Sequence, residues 1–239
     1  MLEVIHVSKS FRGLRAVADA SFEVAEGDIN GLIGPNGAGK TTIFNMIAGV
    51  YPPDSGEILL GGRRIEGLRP DQVCAAGVGR TFQIAKPFAG LSVLDNVVVG
   101  ALHRERSVSS ARTQALVTLE KLGLAAKRDL PASSLTLPER KRLEVARALA
   151  TRPQLLLLDE AMAGLRPTEC DQMVQVFRDI NSAEGLTILL IEHVMRAVMA
   201  LARHVGVLHQ GEVIARGTPE QVVRNPAVLE CYLGEETDV

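Results

Sequence analysis

Tryptophan is absent from this sequence, and aromatic residues of all kinds make up only 3% of it. The core must therefore be aliphatic, which suits parallel strands covered by helices on both faces. A large net charge is missing too. The 26 basic and 28 acidic residues leave a formal −2, so the basic face of a bulk nucleic-acid binder is not indicated and no nucleic-acid partner is expected. Paired cysteines are lacking: Cys74, Cys170 and Cys231 lie far apart with no Cys-x-x-Cys spacing. They read as buried free thiols of a reducing compartment. Long apolar runs are missing as well. Runs such as LLLL at 155–158 and ILLI at 188–191 fall far short of the roughly 20 residues that span a bilayer. The opening MLEVIHVSKS has no apolar stretch of the signal-peptide kind. Any role at a membrane is expected to be played from outside the lipid.

What is present is a chain of 239 residues, 46% hydrophobic, enough for one large domain or two small ones. Strands are predicted at 2–7 and 21–24, a strand running into a glycine-rich turn at 28–34, and a helix over 40–49 ended by Gly49. EILL, Gly61-Gly62 and RRI read as a hairpin, because a Gly-Gly pair suits a tight primed turn. Residues 84–150 change period: Ala115, Leu116, Leu119 and Leu122 share one helical face. Thr136-Leu137-Pro138-Glu139 opens a helix with a Thr-x-x-Glu capping pattern. Beyond 150 come a buried strand at 155–159, a helix at 168–180, a second buried strand at 186–192 and a hairpin around Gln210-Gly211. Thr218 then caps a short helix, and an acidic tail follows. The pattern is α/β, interrupted by a helical insert.

The chemistry concentrates in Gly34-Pro35-Asn36-Gly37-Ala38-Gly39-Lys40-Thr41-Thr42, a match to the phosphate-binding loop G-x-x-x-x-G-K-[ST]. Glycines let backbone N–H groups curl around phosphates, Lys40 can bridge the terminal phosphates, and Thr41 offers a hydroxyl to Mg²⁺. At ordinary glycine usage of ~7% the pattern arises by chance in roughly one such chain in a hundred, and here an apolar strand precedes it and a helix follows. Such a loop needs a carboxylate for its metal. LLLLDE supplies Asp159 at the C-terminal end of a buried strand, where ligands of parallel sheets collect. The adjacent Glu160 is placed to polarise an attacking water. Alone, Gln83, His193 and Phe11 carry no such message.

Together these segments resemble the ATP-binding-cassette (ABC) ATPases over nearly the whole chain. The resemblance implies a P-loop NTPase core of ABC-ATPase type with an antiparallel β subdomain and a helical insert. It implies one domain over 1–239, with the nucleotide-binding core at 1–83 and 151–216, the helical subdomain at 84–150 and a helical tail at 217–239. By the same resemblance Phe11 is the aromatic against adenine, and Gln83 is the Q-loop residue that touches Mg²⁺ and joins the insert. Asp159 and Glu160 close the Walker B motif, Ala163-Gly164-Leu165-Arg166 is the D-loop, and His193 is the switch histidine. The signature, usually LSGGQ, is LTLPE here. Leu135 and Thr136 keep the pattern, both glycines and the glutamine are replaced, and the continuation RKRLEVARAL is intact. Arg166 and Ala161 also depart from the usual residues.

A finer resemblance, carried by GVGRTFQ, AGL and VLECYLGEE, is to ATPase subunits of importers for branched-chain and other hydrophobic amino acids. It implies ATP and Mg²⁺ as cofactors and a second ABC ATPase subunit bound through ATP. It also implies two membrane-spanning permease subunits, indirectly a substrate-binding protein, and a peripheral place on the cytoplasmic face of the membrane. A partly degenerate partner subunit with weak hydrolysis, an importer of urea, amides or aromatic acids, and a non-transport ABC ATPase are the alternatives. Against the last, this sequence shows neither the long coiled coil nor the second cassette that such proteins carry.

Overall fold

The computed structural model describes residues 1–83 and 86–233, with the side chain of Leu233 excepted. The strands are β1 (Leu2–Phe11), β2 (Leu14–Val24), β3 (Ile29–Ile33), β4 (Ser55–Leu60), β5 (Arg63–Arg64), β6 (Val78–Arg80), β7 (Leu155–Asp159), β8 (Thr187–Ile191), β9 (His204–His209) and β10 (Glu212–Gly217). The helices are α1 (Lys40–Ile47), α2 (Pro70–Ala76), α3 (Val93–Ala101), α4 (Val108–Lys121), α5 (Leu137–Leu149), α6 (Pro167–Glu184), α7 (Met195–Leu201), α8 (Pro219–Val223) and α9 (Pro226–Leu233).

Two sheets result. One has the order β2-β1-β4-β5 and is antiparallel; the other has the order β10-β9-β3-β8-β7-β6. In the second, β9, β3, β8, β7 and β6 run parallel, and only the edge strand β10 is antiparallel. The inner strands β3, β7 and β8 are buried at every residue, so period-2 alternation sends side chains to two covered faces instead of to core and water. Leu155, Leu157, Leu189 and Ile191 pack with Ile43, Phe44 and Ile47 of α1 and with Leu2, Val4 and Ile58 of the antiparallel sheet. Leu156, Leu158, Ile188 and Leu190 face the other way, toward Phe177 and Met173 of α6 and toward Val97, Leu119 and Leu143 of the helical region. Each fully buried aliphatic or Phe side chain contributes about 1.5–3 kcal/mol. One apolar layer therefore runs unbroken from α6 into α3–α5, and those helices ride on the sheet as part of it.

Most predicted elements are observed, with physical reasons for the differences. The strands predicted at 2–7 and 21–24 extend to meet in one hairpin at Phe11↔Leu14. Helix α2 buries only Val73 and had no periodicity to announce it; α7 was likewise not anticipated, whereas α9 falls within the helical tail expected at 217–239. Cys170 and Cys231 are buried as expected, but Cys74 on α2 is half-buried, because that short helix covers the core with one residue only. Part of the acidic tail, and of the ending VLECYLGEE, lies outside the described residues.

Candidate active site

Parallel strands deliver their C-terminal ends to one edge, and four neighbouring strands here end in candidate residues. The glycine loop follows β3, His193 follows β8, Asp159 and Glu160 end β7, and Gln83 follows β6. Register aligns those ends: Leu32 and Asp159 both pair with Ile191 of β8. At ~4.8 Å per strand step, β7 lies roughly 10 Å from β3, the span of a triphosphate with its metal.

The loop is gripped from below. Gly34 has φ +147° and Gly39 φ +104°. A Cβ on Gly34 would lie 2.0 Å from the Leu208 carbonyl oxygen of β9, and one on Gly39 2.4 Å from that of Ala16 in β2. Only glycine fits either place. The β9–β10 turn completes the grip: Gly211 N–H donates to Ala38 O (3.0 Å), and Ala18 N–H donates to Gly211 O (2.8 Å). Lys40 is buried, and its Nζ donates to Gly34 O (2.6 Å) and Pro35 O (2.7 Å), bridging the loop's entrance. Helix α1 begins at Lys40 with no side-chain cap and no acid in its first turn. Its terminal N–H groups and dipole are therefore offered to an anion. Pro35 and Ala38 are buried and shape the loop, while Asn36, Gly37 and Thr41 are exposed and Thr42 is half-buried.

The carboxylates occupy different environments. Asp159 is buried and ion-paired with Arg80 (Oδ2–Nη2 3.0 Å). Arg80 also donates to Asn45 Oδ1 (2.6 Å), and Asn45 in turn donates to Tyr51 Oη (3.0 Å). Glu160 has φ +50°, a strained left-handed conformation for a glutamate. Its Oε1 lies 3.0 Å from His193 Nε2, and its Oε2 accepts from Gln83 Nε2 (2.8 Å). Because the Gln83 amide nitrogen is spent on Glu160, its Oε1 is the atom left for a metal. Thr41 Oγ1, Asp159 and Gln83 Oε1 would offer an all-oxygen donor set with few protein ligands, a chemistry that suits Mg²⁺.

Phe11 and Thr136 are carried by elements other than these strand ends. Phe11 is 40% exposed at the end of β1 and packs edge-on against Tyr51, with ring centroids 5.2 Å apart. Thr136 stands at the exposed N-terminus of α5, where its N–H donates to Glu139 Oε2 (3.0 Å). The expected capping partner is thus in place. Lys127 also pairs with Glu139 and, through that hydrogen bond, holds its carboxyl below the usual range. Leu137 at the start of α5 reaches the Gly164 turn that follows Glu160.

Sequence reasoning missed several members of the site. Arg80, Asn45 and Tyr51 gave no local signal, since they meet only across the fold. Lys141 and Glu192 were missed for the opposite reason: charged residues read as surface, yet both are buried. Glu192 Oε1 accepts from Met162 N–H (2.8 Å), and its Oε2 has no hydrogen-bond partner. Burial pushes this carboxyl up to about 7, against the smaller opposing pull of the Met162 amide and Lys141. A raised acid favours folding while protonated, so this contribution is complete below the unfolded pKa near 4.5 and is lost as pH climbs to 7. The full loss is about 3 kcal/mol. Glu192→Gln cannot titrate, so its melting temperature should gain on wild type from pH 5 to 8, at about 2–4 °C per kcal/mol. A gap that stays constant with pH would remove burial as the cause.

A glycine loop that passes a strand into an uncapped helix, facing a strand-end Asp–Glu pair across a parallel sheet, defines a P-loop nucleoside triphosphatase. The profile of the ABC transporter family matches residues 17–163, and the chain belongs to that family as one of its ATP-hydrolysing subunits. A second profile, described as branched-chain amino acid ATP-binding cassette transporter, matches residues 212–238. The chain is 39% identical to the high-affinity branched-chain amino acid transport ATP-binding protein LivG of Salmonella typhimurium, over 98% of each chain. Identity to BraF of Pseudomonas aeruginosa, described in the same words, is also 39% over 98% of each. The lipopolysaccharide export ATP-binding protein LptB of Acidithiobacillus ferridurans is 36% identical over 100% of this chain and 99% of its own. Among solved structures, a nucleotide-free ATP-binding cassette of an ABC transporter superposes with TM-score 0.89 at 29% identity, covering 97% of this chain and 98% of that one.

Proposed function

We propose that this chain energises the import of branched-chain or other hydrophobic amino acids. Its full-length 39% identity to LivG and BraF carries the reading, and the match over 212–238 supports it at a segment outside the nucleotide site. The identity to LptB is nearly as high, so an export role is the competing reading; that C-terminal match weighs against it.

ATP would seat its phosphates on the glycine loop and the α1 N-terminus, with Lys40 turning from the loop carbonyls to the β- and γ-phosphates. Phe11, with Tyr51 behind it, supplies the apolar surface for adenine. Thr41, Asp159 and Gln83 would hold Mg²⁺, which when bound neutralises phosphate charge. Glu160 takes the proton of the attacking water, kept in line by Gln83 and His193 on its two oxygens, and His193 faces the charge that develops on the phosphoryl group. A second cassette would close over the nucleotide with the start of its own α5. ATP would then hold the pair together and hydrolysis would release it.

The membrane subunits would act from a groove of about 280 Å³ beside Gln83, between the core and the helical insert. Phe82, Val99, Glu144 and Arg147 help to line it. Glu144 is bonded to Phe82 N–H, while its Oε2 is buried without a partner, which suits a basic or amide group arriving from outside. No helix among the described residues is long and apolar enough to cross a membrane; attachment would be through such subunits, at the cytoplasmic face.

The test is uptake by proteoliposomes that carry the chain with the permease subunits of a branched-chain amino acid importer. ATP-driven entry of leucine, isoleucine and valine is expected, with urea, amides and aromatic acids competing poorly. Transport of one of those competitors in preference, or export of a lipid, would overturn the assignment.

A further inference from the structure

Lys141 sits in the second turn of α5 and is only 5% exposed. A buried ammonium has to be satisfied by acceptors. Lys141 Nζ donates to the carbonyl oxygens of two residues distant in sequence, Glu160 (2.8 Å) and Gln83 (3.1 Å). These are the two residues whose side chains meet at the hydrolytic carboxylate. One ammonium thus ties down the main chain of both.

Glu160 needs such a tie because its φ of +50° is one a glutamate leaves readily. Its N–H donates to Ile191 O (2.9 Å), and its carbonyl accepts from Ala163 N–H at 3.2 Å besides Lys141. With the ammonium removed, only that longer bond holds the carbonyl. The backbone is then free to relax, and the carboxylate swings off His193 and Gln83. Lys141 also stands five residues along one helix from Thr136, about 7.5 Å of rigid axis. The start of that helix touches the Gly164 turn through Leu137.

We propose that Lys141 is the positioning residue of the catalytic glutamate, holding Glu160 and Gln83 in register with the start of α5. The proposal rests on the reading of Glu160 as the base and of the α5 start as the element that meets a second cassette's nucleotide. It adds a link between sites. Nucleotide bound in one site presses on the neighbour's α5, and Lys141 carries that displacement to the neighbour's own Glu160.

The experiment compares full-length wild type, Lys141→Met, Lys141→Arg and Glu160→Gln by three measurements: binding of a fluorescent ATP analogue, hydrolysis against ATP concentration, and amide hydrogen exchange without nucleotide. Lys141→Met should bind the analogue within about twofold of wild type and keep KM within about twofold, while kcat falls by about 10–50-fold, a split that loss of positioning produces and loss of binding does not. Amides of 160–163 should exchange at least about tenfold faster, with those of 143–149 in α5 unchanged. Lys141→Arg, whose forked donors are expected to serve both carbonyls, should recover kcat to within about threefold. If Lys141→Met does not fold, Lys141→Gln replaces it, with a smaller kcat loss and the same exchange pattern expected. Wild-type kcat in the neutral variant would overturn the proposal. So would a loss accompanied by equally fast exchange throughout α5, since Lys141 would then merely hold a helix down. Failure of the underlying reading shows separately, as Glu160→Gln turning over like wild type; the exchange data, which need no hydrolysis, then still decide whether Lys141 holds the segment.

Discussion

Replacing Glu160 with glutamine is expected to leave ATP binding intact and to cut steady-state hydrolysis by a factor of about 100 or more, the usual cost of losing a general base. Glutamine has the same shape and keeps an oxygen for the Gln83 amide, whose hydrogen bond to Glu160 measures 2.8 Å. The strained backbone and its partners at Ile191 and Lys141 are untouched. What disappears is the capacity to take a proton from water. The glycine loop, about two strand spacings away, retains its grip on the phosphates, so the arrested protein should accumulate as an ATP-bound dimer. Phosphate release and sedimentation with ATP measure the two effects. Turnover within threefold of wild type would reduce Glu160 to a charge at the end of a strand.

Loss of the Lys40 ammonium should be as damaging, at the binding step instead. Lys40→Ala is expected to weaken ATP binding by about 100-fold. Charge-assisted hydrogen bonds are worth about 1.5–3 kcal/mol each, and 1.4 kcal/mol is a factor of ten. The buried setting of Lys40 favours the upper part of that range, because little water is at hand to replace the ammonium. The substitution also removes the Lys40 bonds to Gly34 and Pro35 carbonyls, so a thermal melt should accompany the titration. Affinity within twofold of wild type in a folded variant would contradict the assignment of the loop.

The loop was legible from sequence because its message is local: glycines at fixed offsets between an apolar run and a helix. Asp159 and Glu160 were legible for a similar reason, as the end of five buried residues. The capping pair Thr136–Glu139 could be read from a four-residue pattern, whereas the Lys127 contact that quiets Glu139 could not, since it comes from a separate turn. Gln83 and His193 took their meaning from resemblance, and the sheet order supplies its physical basis by bringing β6 and β8 to either side of β7. Lys141 stayed hidden because a lysine in a helix is by default solvated; only the crossing of α5 over the strand ends buries it. Residues 66–80 were silent because α2 and β6 are too short to display a period.

The Leu208 carbonyl beneath Gly34 and the Gly211 amide on Ala38 have a consequence for how the chain is made. The loop is synthesised early, but the wall that shapes it comes some 170 residues later. At about 5–20 residues per second, translation leaves the loop without that wall for roughly 10–35 s. Throughout that interval the glycines are free to sample open conformations, and the nucleotide in the surrounding solution finds no finished cradle. Competence to bind ATP is therefore conferred from the C-terminal side, when β9 and the Gln210-Gly211 turn slide under the loop. A ribosome-bound or interrupted chain that ends before residue 208 carries the whole phosphate-binding motif in its sequence and is expected to hold nucleotide poorly.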